Sequence, residues 1–281
     1  MKILISLFAV LTMLTVLDPV TLIADGSEVQ FRQRLSTSDE EVAADVTEEV
    51  RFGREVAARV IARYGLYDNP VLMQYVNLVG TVLSRQTNRP ELAFHFAILN
   101  TDEINAYAAP GGYVFVTRGA LLKMQDEAEL AGVLAHEMGH VVEKHVVKEL
   151  NIKGTEASAV SGLVHLIGGS TESARAAFSQ AVDKALDTLF KDGYKRADET
   201  QADRDAVMFC ALSGYEPNGL VKYFERLNAL KGKQTEVLDK THPSYEARIA
   251  VLKETIVREG IDTGTYKTHK DRFAGNTKSL K

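Results

Sequence analysis

The stretch LAHEMGHVVEKH, residues 134–145, carries three histidines and two glutamates among apolar side chains. His136 and His140 are four residues apart, so on a helix their imidazoles project from one face, one turn apart. Two neutral imidazole nitrogens at that separation can share one Zn²⁺ at about 2.0 Å each. Unsatisfied imidazoles would be costly in this apolar run. The spacing therefore predicts two ligands of a zinc site on a helix.

Glu137 lies about 100° around the same helix from His136, so it faces a water on the metal rather than the metal itself. Zinc lowers the pKa of a bound water towards ~7, and a nearby carboxylate can take its proton as the water attacks a carbonyl. These are the mechanics of the H-E-x-x-H pattern. Glu137 is the predicted general base, and the alternative is a chance match on an amphipathic helix.

His145 follows His140 by five residues, about 140° around a continuous helix, so it is not expected to bind the same metal. We interpret it as a helix-surface residue or as a partner of a ligand imidazole. An extended three-histidine pattern would need glycine at position 143 and histidine at position 146, where the chain has Glu143 and Val146. The third ligand must therefore come from another part of the chain.

Other histidines and several carboxylates are candidates for that third ligand. The histidines outside the stretch are His95, His165, His242 and His269. Glu199 and Asp203, in YKRADETQADRDAV (residues 194–207), lie one turn apart on a predicted helix. A glutamate ligand, with an aspartate that accepts a hydrogen bond from a ligand imidazole, is typical of metal sites. An acidic helix face is usually only solvated, but beside H-E-x-x-H this pair is favoured.

The composition is that of an ordinary globular protein, with 281 residues, 45% of them hydrophobic and 25% charged. A net charge of −5 gives no electrostatic footprint for nucleic acid. The single cysteine, Cys210, excludes an internal disulfide, and its apolar helical context predicts a buried structural thiol.

The N-terminus has the pattern of a targeting segment. Lys2 precedes an apolar run at residues 3–17, which Asp18-Pro19 ends. This run is shorter than the ~20 residues of a bilayer span and suits the core of a signal peptide. We expect residues 1–24 to be a signal peptide, with a membrane anchor at 3–17 as the alternative. The expected location is periplasmic or secreted, with membrane contact only if the segment is uncleaved.

Hydrophobic periodicity and turn residues predict a mainly helical α+β protein. The predicted helices cover residues 39–64, 69–86, 126–150, 197–213, 217–230 and 244–258, and another opens near Gly119. A strand is expected at 92–99, and Pro110-Gly111-Gly112 separates two extended runs as a hairpin turn would. Residues 151–183 are predicted to be a loop that is mobile at Gly168-Gly169, and residues 161–170 within it are expected to form a flexible loop or lid over the cleft. We expect residues 25–262 to form a single domain and residues 263–281 to be a disordered polar tail.

Four ordered motifs between residues 50 and 258 resemble one protein family: INAYAAPGGYVFVTRGAL, LAHEMGH, ETQAD and THPSYEARI. They resemble the HtpX-like and CAAX-prenyl-protease-like gluzincin metallopeptidases, peptidase family M48, and most closely the soluble, exported branch without a C-terminal repeat domain. The resemblance implies a zincin-like (minigluzincin) core, with a long active-site helix and a small sheet whose edge strand flanks the zinc cleft. It also implies one Zn²⁺ per chain and polypeptide substrates.

The resemblance assigns roles to particular residues of this chain. Glu199 would be the third zinc ligand, and Asp203 would accept a hydrogen bond from a ligand imidazole. The family motif often carries glutamate where this chain has Gln201, which leaves the ligand set unchanged. Asn105 and Ala106 would line the cleft at the edge strand, where an extended peptide can add through backbone hydrogen bonds.

His242, which precedes Pro243, would lie near the metal in proteins of this family. It would stabilise the oxyanion of the tetrahedral intermediate, or occupy the open zinc position and keep the enzyme latent; a helix cap is the structural alternative. Arg248 would support the oxyanion or, as favoured here, pair with an acidic residue.

The function expected from these residues and from the resemblance is that of a zinc endopeptidase. It would process or clear unfolded or misassembled envelope proteins. Prenylated-substrate specificity is not implied, because no apolar span separates the ligand helices. The alternative is a latent zinc protein that acts as a chaperone or binding module for unfolded polypeptides.

Overall fold

A computed structural model describes residues 26–150, 171–230 and 241–280, with side chains from residue 45 onward. Contacts divide the chain into two units, Met1–Glu41 and Val42–Lys281, and residues 26–41 of the first unit are helical. The expected signal peptide and the expected lid at 161–170 lie outside the described residues. Within the described ranges, no helix is both long enough and apolar enough to cross a membrane.

The described part of the chain is mainly helical, with one small sheet, as the sequence predicts. Its helices are α1 (Gly26–Tyr64), α2 (Pro70–Ser84), α3 (Arg118–Lys123), α4 (Glu127–Val142), α5 (His145–Glu149), α6 (Glu172–Asp187), α7 (Arg196–Leu212), α8 (Gly219–Leu230), α9 (Tyr245–Arg258) and α10 (Lys270–Asn276). Its strands are β1 (His95–Leu99), β2 (Ala106–Ala109) and β3 (Tyr113–Thr117).

The three strands form a sheet in the order β1-β3-β2. Strand β1 is parallel to β3, and β2 is antiparallel to it. The predicted turn joins β2 to β3, and Gly111 and Gly112 have φ angles of 72° and 96°, which glycine adopts without a Cβ clash. Strand β2 therefore lies at an edge of this sheet.

Helix α4 is the central element, and each of its side chains is buried. Asp126 caps its N-terminus by accepting a hydrogen bond from the Glu129 backbone, as predicted. A Cβ on Gly139 would lie only 3.0 Å from the Ala202 Cα in α7. Glycine at position 139 therefore allows the close approach of the two helices that carry the predicted ligands.

The predicted helix at 126–150 is in fact two helices. Helix α4 ends at Val142, Lys144 has a left-handed backbone (φ 55°, ψ 35°), and α5 begins at His145. A left-handed residue interrupts the helical hydrogen-bond ladder, so the direction of the chain changes there. Positions beyond Lys144 cannot be placed by continuing the turn angle of α4.

The predicted loop at 151–183 is helical over its described second half. Helix α6 begins at Glu172, where the Thr171 hydroxyl accepts a hydrogen bond from the Ala174 backbone and caps the helix. The alanines of this segment favour helix once the cap is in place. Helix α1 also differs from its prediction, because it begins at Gly26 rather than at position 39.

The tail at 263–281, expected to be disordered, carries helix α10 and packs on the domain. Phe273 is only 3% exposed and lies in the core. The Thr268 carbonyl accepts a hydrogen bond from the Glu127 backbone, and the Arg272 Nε donates to the Glu127 carboxylate at 2.6 Å. The prediction was wrong because this order depends on contacts with the N-terminus of α4, which local composition does not reveal.

Candidate active site

Helices α4 and α7 bring three of the predicted ligands together. His136 Nε2 lies 3.1 Å from His140 Nε2. The Glu199 carboxylate oxygens lie 3.4 Å from His140 Nε2 and 3.7 Å from His136 Nε2. Ligand atoms about 2.0–2.1 Å from a tetrahedral zinc would be separated by roughly 3.3 Å. The three distances therefore fit the edges of a tetrahedral metal site.

The Glu199 carboxylate gives an independent test of this fit. Both of its oxygens are buried, and neither has a hydrogen-bond partner among the described residues. Burial raises the pKa of Glu199, and the nearby charges of His242 and Arg248 only partly oppose it. A buried carboxylate without donors is costly unless a cation balances it. The orphaned oxygens fit a metal ion between them and the imidazoles.

Burial also keeps the ligand imidazoles in the neutral form that binds metal. It lowers the pKa of His140 to about 3 and that of His136 well below its usual value. The charge of Arg248 acts in the same direction on both rings. Two neutral imidazoles with one carboxylate are a donor set that suits zinc.

Asp203 lies beside the first ligand imidazole, where the sequence predicts it. Its Oδ1 is 3.0 Å from His136 Nδ1. Arg248 donates to both oxygens of Asp203, from Nε at 3.1 Å and from Nη2 at 2.6 Å. Arg248 therefore pairs with an acidic residue, the role favoured for it, and its guanidinium lies 4.3 Å from the centroid of the Phe224 ring.

His242 approaches the same cluster from the segment before α9. Its Nε2 lies 3.7 Å from Glu199 Oε1, and one ligand atom each of His136, Glu199 and His242 lie within 4.8 Å of one another. Its Nδ1 lies 2.9 Å from the Thr241 hydroxyl. Ser244, rather than His242, caps α9, so the helix-cap alternative for His242 is wrong.

His145 is not a surface residue, because its side chain is only 2% exposed. Its Nδ1 lies 2.8 Å from His140 Nδ1. The expectation of a surface position came from continuing α4 by 140°, and the break at Lys144 removes that geometry. The alternative interpretation, a partner of a ligand imidazole, agrees with the contact.

Tyr194 is a residue of the site that the sequence analysis missed. Its ring stacks on His140 with centroids 4.0 Å apart and an interplanar angle of 16°. Its hydroxyl is buried, and burial raises its pKa, with the charges of Glu137 and Glu199 acting in the same direction. An aromatic residue five positions before the predicted glutamate ligand was the available signal.

Glu137 lines a small, partly open cavity beside the candidate metal site. Burial raises the pKa of Glu137 to about 8. Asn105 and Ala106, at the start of β2, line the same cavity, as do His242 and apolar residues of α3, α4 and α8. The structure thus brings the predicted base and the two predicted substrate-binding residues together beside the ligand cluster.

The sequence of this chain is similar to known proteins over a longer region than the motifs alone. The family model described as "Peptidase family M48" matches residues 70–256. The chain is 29% identical over 213 residues to the β-barrel assembly-enhancing protease of Escherichia coli (strain K12), which covers 73% of this chain and 43% of that protein. It is 28% identical over 211 residues to the mitochondrial metalloendopeptidase OMA1 of Schizosaccharomyces pombe, covering 73% of this chain and 60% of that protein.

A third relative is the metalloprotease YcaL of Escherichia coli (strain K12), 27% identical over 162 residues, which cover 58% of this chain and 62% of that protein. The chain spans less than two thirds of the length of each of these relatives. The region matched by the family model contains both ligand helices and the predicted base. The chain therefore belongs to Peptidase family M48, and two of the relatives similar to it are named as a metalloendopeptidase and a metalloprotease.

Proposed function

We propose that this protein is a zinc-dependent endopeptidase that hydrolyses peptide bonds in unfolded or misassembled envelope polypeptides. The observation that carries the proposal is the convergence of His136, His140 and Glu199, with both carboxylate oxygens orphaned, beside the buried Glu137. The two imidazoles and the Glu199 carboxylate would hold one Zn²⁺. The metallopeptidase relatives support the same reaction class.

Glu137 is the proposed general base. When bound, zinc would polarise a substrate carbonyl and lower the pKa of a water towards ~7. Glu137 accepts a proton from the attacking water and then passes it to the leaving amine nitrogen.

Asn105 and Ala106 are proposed to bind the substrate backbone. An extended peptide would add to the edge strand β2, and this mode of binding relies on main-chain hydrogen bonds rather than on one sequence. Asn105 and Ala106 line the same pocket as Glu137, which places the start of β2 beside the proposed base. Tolerance of sequence suits unfolded polypeptides as substrates.

His242 and Arg248 have proposed supporting roles. His242 would stabilise the oxyanion that forms on the substrate carbonyl. Arg248 fixes Asp203, which in turn orients His136 through the contact of Oδ1 with Nδ1. Arg248 also lines the cavity and is the second candidate for oxyanion support.

The proposed location is the periplasm or the extracellular medium. The apolar run at 3–17 supports export, whether residues 1–24 are removed or retained as an anchor. The name of the Escherichia coli relative refers to β-barrel assembly, which agrees with an envelope role. The proposed catalytic unit is the single unit Val42–Lys281, which includes helix α10.

The test compares the full chain with its Glu137→Gln variant on a permanently unfolded protein such as reduced, carboxymethylated lactalbumin. We expect both proteins to hold one zinc per chain by elemental analysis, and the variant to cleave at least about 100-fold more slowly because the general base is lost. Equal cleavage by two proteins that both hold one zinc would overturn the proposal.

A second candidate function rests on the position of His242. Because its Nε2 lies 3.7 Å from Glu199 Oε1, it can compete for the fourth position of the site and leave a latent chaperone or binding module. This function predicts that neither wild type nor Glu137→Gln cleaves the unfolded protein, while both suppress its aggregation. Cleavage gained on His242→Ala would then identify a latent peptidase rather than a binding module.

A further inference from the structure

His140 is held on three sides. Its Nε2 faces His136 and Glu199, its ring stacks on Tyr194, and its Nδ1 lies 2.8 Å from the Nδ1 of His145. The first contact belongs to the proposed metal site, and the second is apolar stacking. The third contact has no role in the function proposed above.

A hydrogen bond between two Nδ1 atoms needs one donor and one acceptor. If His140 is to offer a lone pair at Nε2, its proton must sit on Nδ1, and His145 Nδ1 must accept it. The proton of a neutral His145 then sits on Nε2, which lies 3.6 Å from Asp198 Oδ1. That separation is longer than a hydrogen bond, but a carboxylate at this distance favours the Nε2–H tautomer electrostatically.

The backbone conformation at Lys144 places the His145 ring in contact with His140. Lys144 adopts a left-handed conformation, which is uncommon for a residue with a side chain and persists where surrounding contacts impose it. The Lys144 Nζ lies 3.8 Å from the fully buried carboxylate of Glu49. The turn at Lys144 lets α5 begin at His145 and brings its ring against His140.

We propose that His145, with Asp198 behind it, is a positioning residue that selects the tautomer of His140 with the free lone pair on Nε2. The inference rests on the proposed metal site, because tautomer selection matters only if His140 is a ligand. Partners of ligand histidines commonly orient the ring and raise its basicity in this way. Here the partner is a second neutral histidine rather than a carboxylate or a carbonyl.

Two isosteric variants of the full chain separate a hydrogen-bond acceptor from mere packing. His145→Asn keeps an acceptor oxygen close to the position of Nδ1, whereas His145→Leu has the same shape without it. We expect the zinc affinity of the asparagine variant to stay within about threefold of wild type and that of the leucine variant to fall about 10–100-fold. Equal affinities for the two variants, whether both high or both low, would overturn the proposal.

A second measurement needs no variant. In zinc-free wild type, ¹⁵N chemical shifts of the imidazoles should show His140 protonated at Nδ1 and His145 protonated at Nε2. The opposite arrangement would overturn the inference even if His145→Leu failed to fold. If wild type binds no zinc, the proposed function fails by itself, whereas the tautomer measurement still reports on the His140–His145 pair.

Discussion

At the scale of single residues, the environment of Glu199 combines two opposing demands. Its oxygens face two imidazoles at ligand distance, yet in the described part of the chain they receive no hydrogen bond. The Glu199 carboxylate is therefore expected to stabilise the folded protein when a cation is bound and to destabilise it when no cation is bound. This opposition gives a prediction in which metal affinity and stability change in opposite directions.

Glu199→Gln keeps the size of the side chain and removes its charge. We expect zinc affinity to fall at least about 10–100-fold, which is the loss typical when a residue that hydrogen-bonds to a metal ligand is replaced. The chelator-treated variant should melt at a higher temperature than chelator-treated wild type, because a buried amide costs less than a buried carboxylate that receives no hydrogen bond. Zinc titration and thermal unfolding measure the two effects. Glu254→Gln, at an exposed position of α9, should change neither.

Asp205 supplies a prediction about pH. Burial, and then the charge of Glu143, raises its pKa to about 6 from an ordinary value of 3.8. The folded state therefore binds more protons than the unfolded state between about pH 4 and pH 6, and stability falls as pH rises through that window. Its Oδ2 is buried, with no donor among the residues the structure describes.

Asp205→Asn should therefore raise Tm at pH 7.5 by about 2–4 °C and change it little at pH 4, where both side chains are neutral in the folded state. The hydrogen bond from Gln201 to the retained Oδ1 at 3.0 Å can persist in the variant. Thermal unfolding at the two pH values is the measurement. An equal gain at both would show that the carboxylate charge is not responsible.

At the scale of elements, the distance between α4 and α7 determines whether the ligands meet. Gly139 faces Ala202, and a Cβ there would lie 3.0 Å from its Cα and 3.3 Å from its Cβ. Such contacts are tighter than ordinary packing, so a side chain at 139 would separate the helices. His140, the next residue along α4, would then move away from Glu199.

Gly139→Ala should lower the free energy of unfolding by about 1–3 kcal/mol through this overpacking, in spite of the better helix propensity of alanine. Its zinc affinity should fall as well. Gly275→Ala in α10 is the matched control, because a Cβ there meets nothing within 4 Å. The control should be neutral or slightly stabilising in chemical denaturation. A similar result for both variants would mean that the close approach does not require glycine 139.

At the scale of the whole molecule, the C-terminal segment supports the active-site helix. Glu127, the first residue of α4, has a buried carboxylate that accepts hydrogen bonds from the hydroxyls of Tyr75 and Tyr215 at 2.7 and 2.8 Å and from Arg272. These donors come from α2, from the segment before α8 and from α10. Burial of this carboxylate is therefore compensated only when distant parts of the chain are folded together.

Phe273→Ala should lower the free energy of unfolding by about 3 kcal/mol, as for other buried aromatic residues truncated in a core. Ending the chain after residue 262 should destabilise it at least as much. The control Lys278→Ala, at an exposed position of the same segment, should have little effect. Chemical denaturation distinguishes this from a disordered tail, for which all three changes would be neutral.

The sequence by itself determined the features that depend on spacing within one or two turns. The face shared by His136 and His140, the cap at Asp126 and the turn at Pro110–Gly112 all follow from local geometry. The same is true of the buried thiol of Cys210, which lies in an apolar helix face and whose pKa burial raises to about 12. Local patterns sufficed because neighbours along the chain impose these contacts.

Only the tertiary structure decided how distant residues are paired. The contact of His145 with His140 depends on the left-handed backbone at Lys144, and the order of the tail depends on Arg272 reaching Glu127, 145 residues away in the chain. The convergence of Glu199 with the histidines likewise depends on helix packing at Gly139. A buried polar group without a partner is costly, so each such group needs a partner. Which residue becomes that partner depends on the packing of the whole fold and not on the local segment.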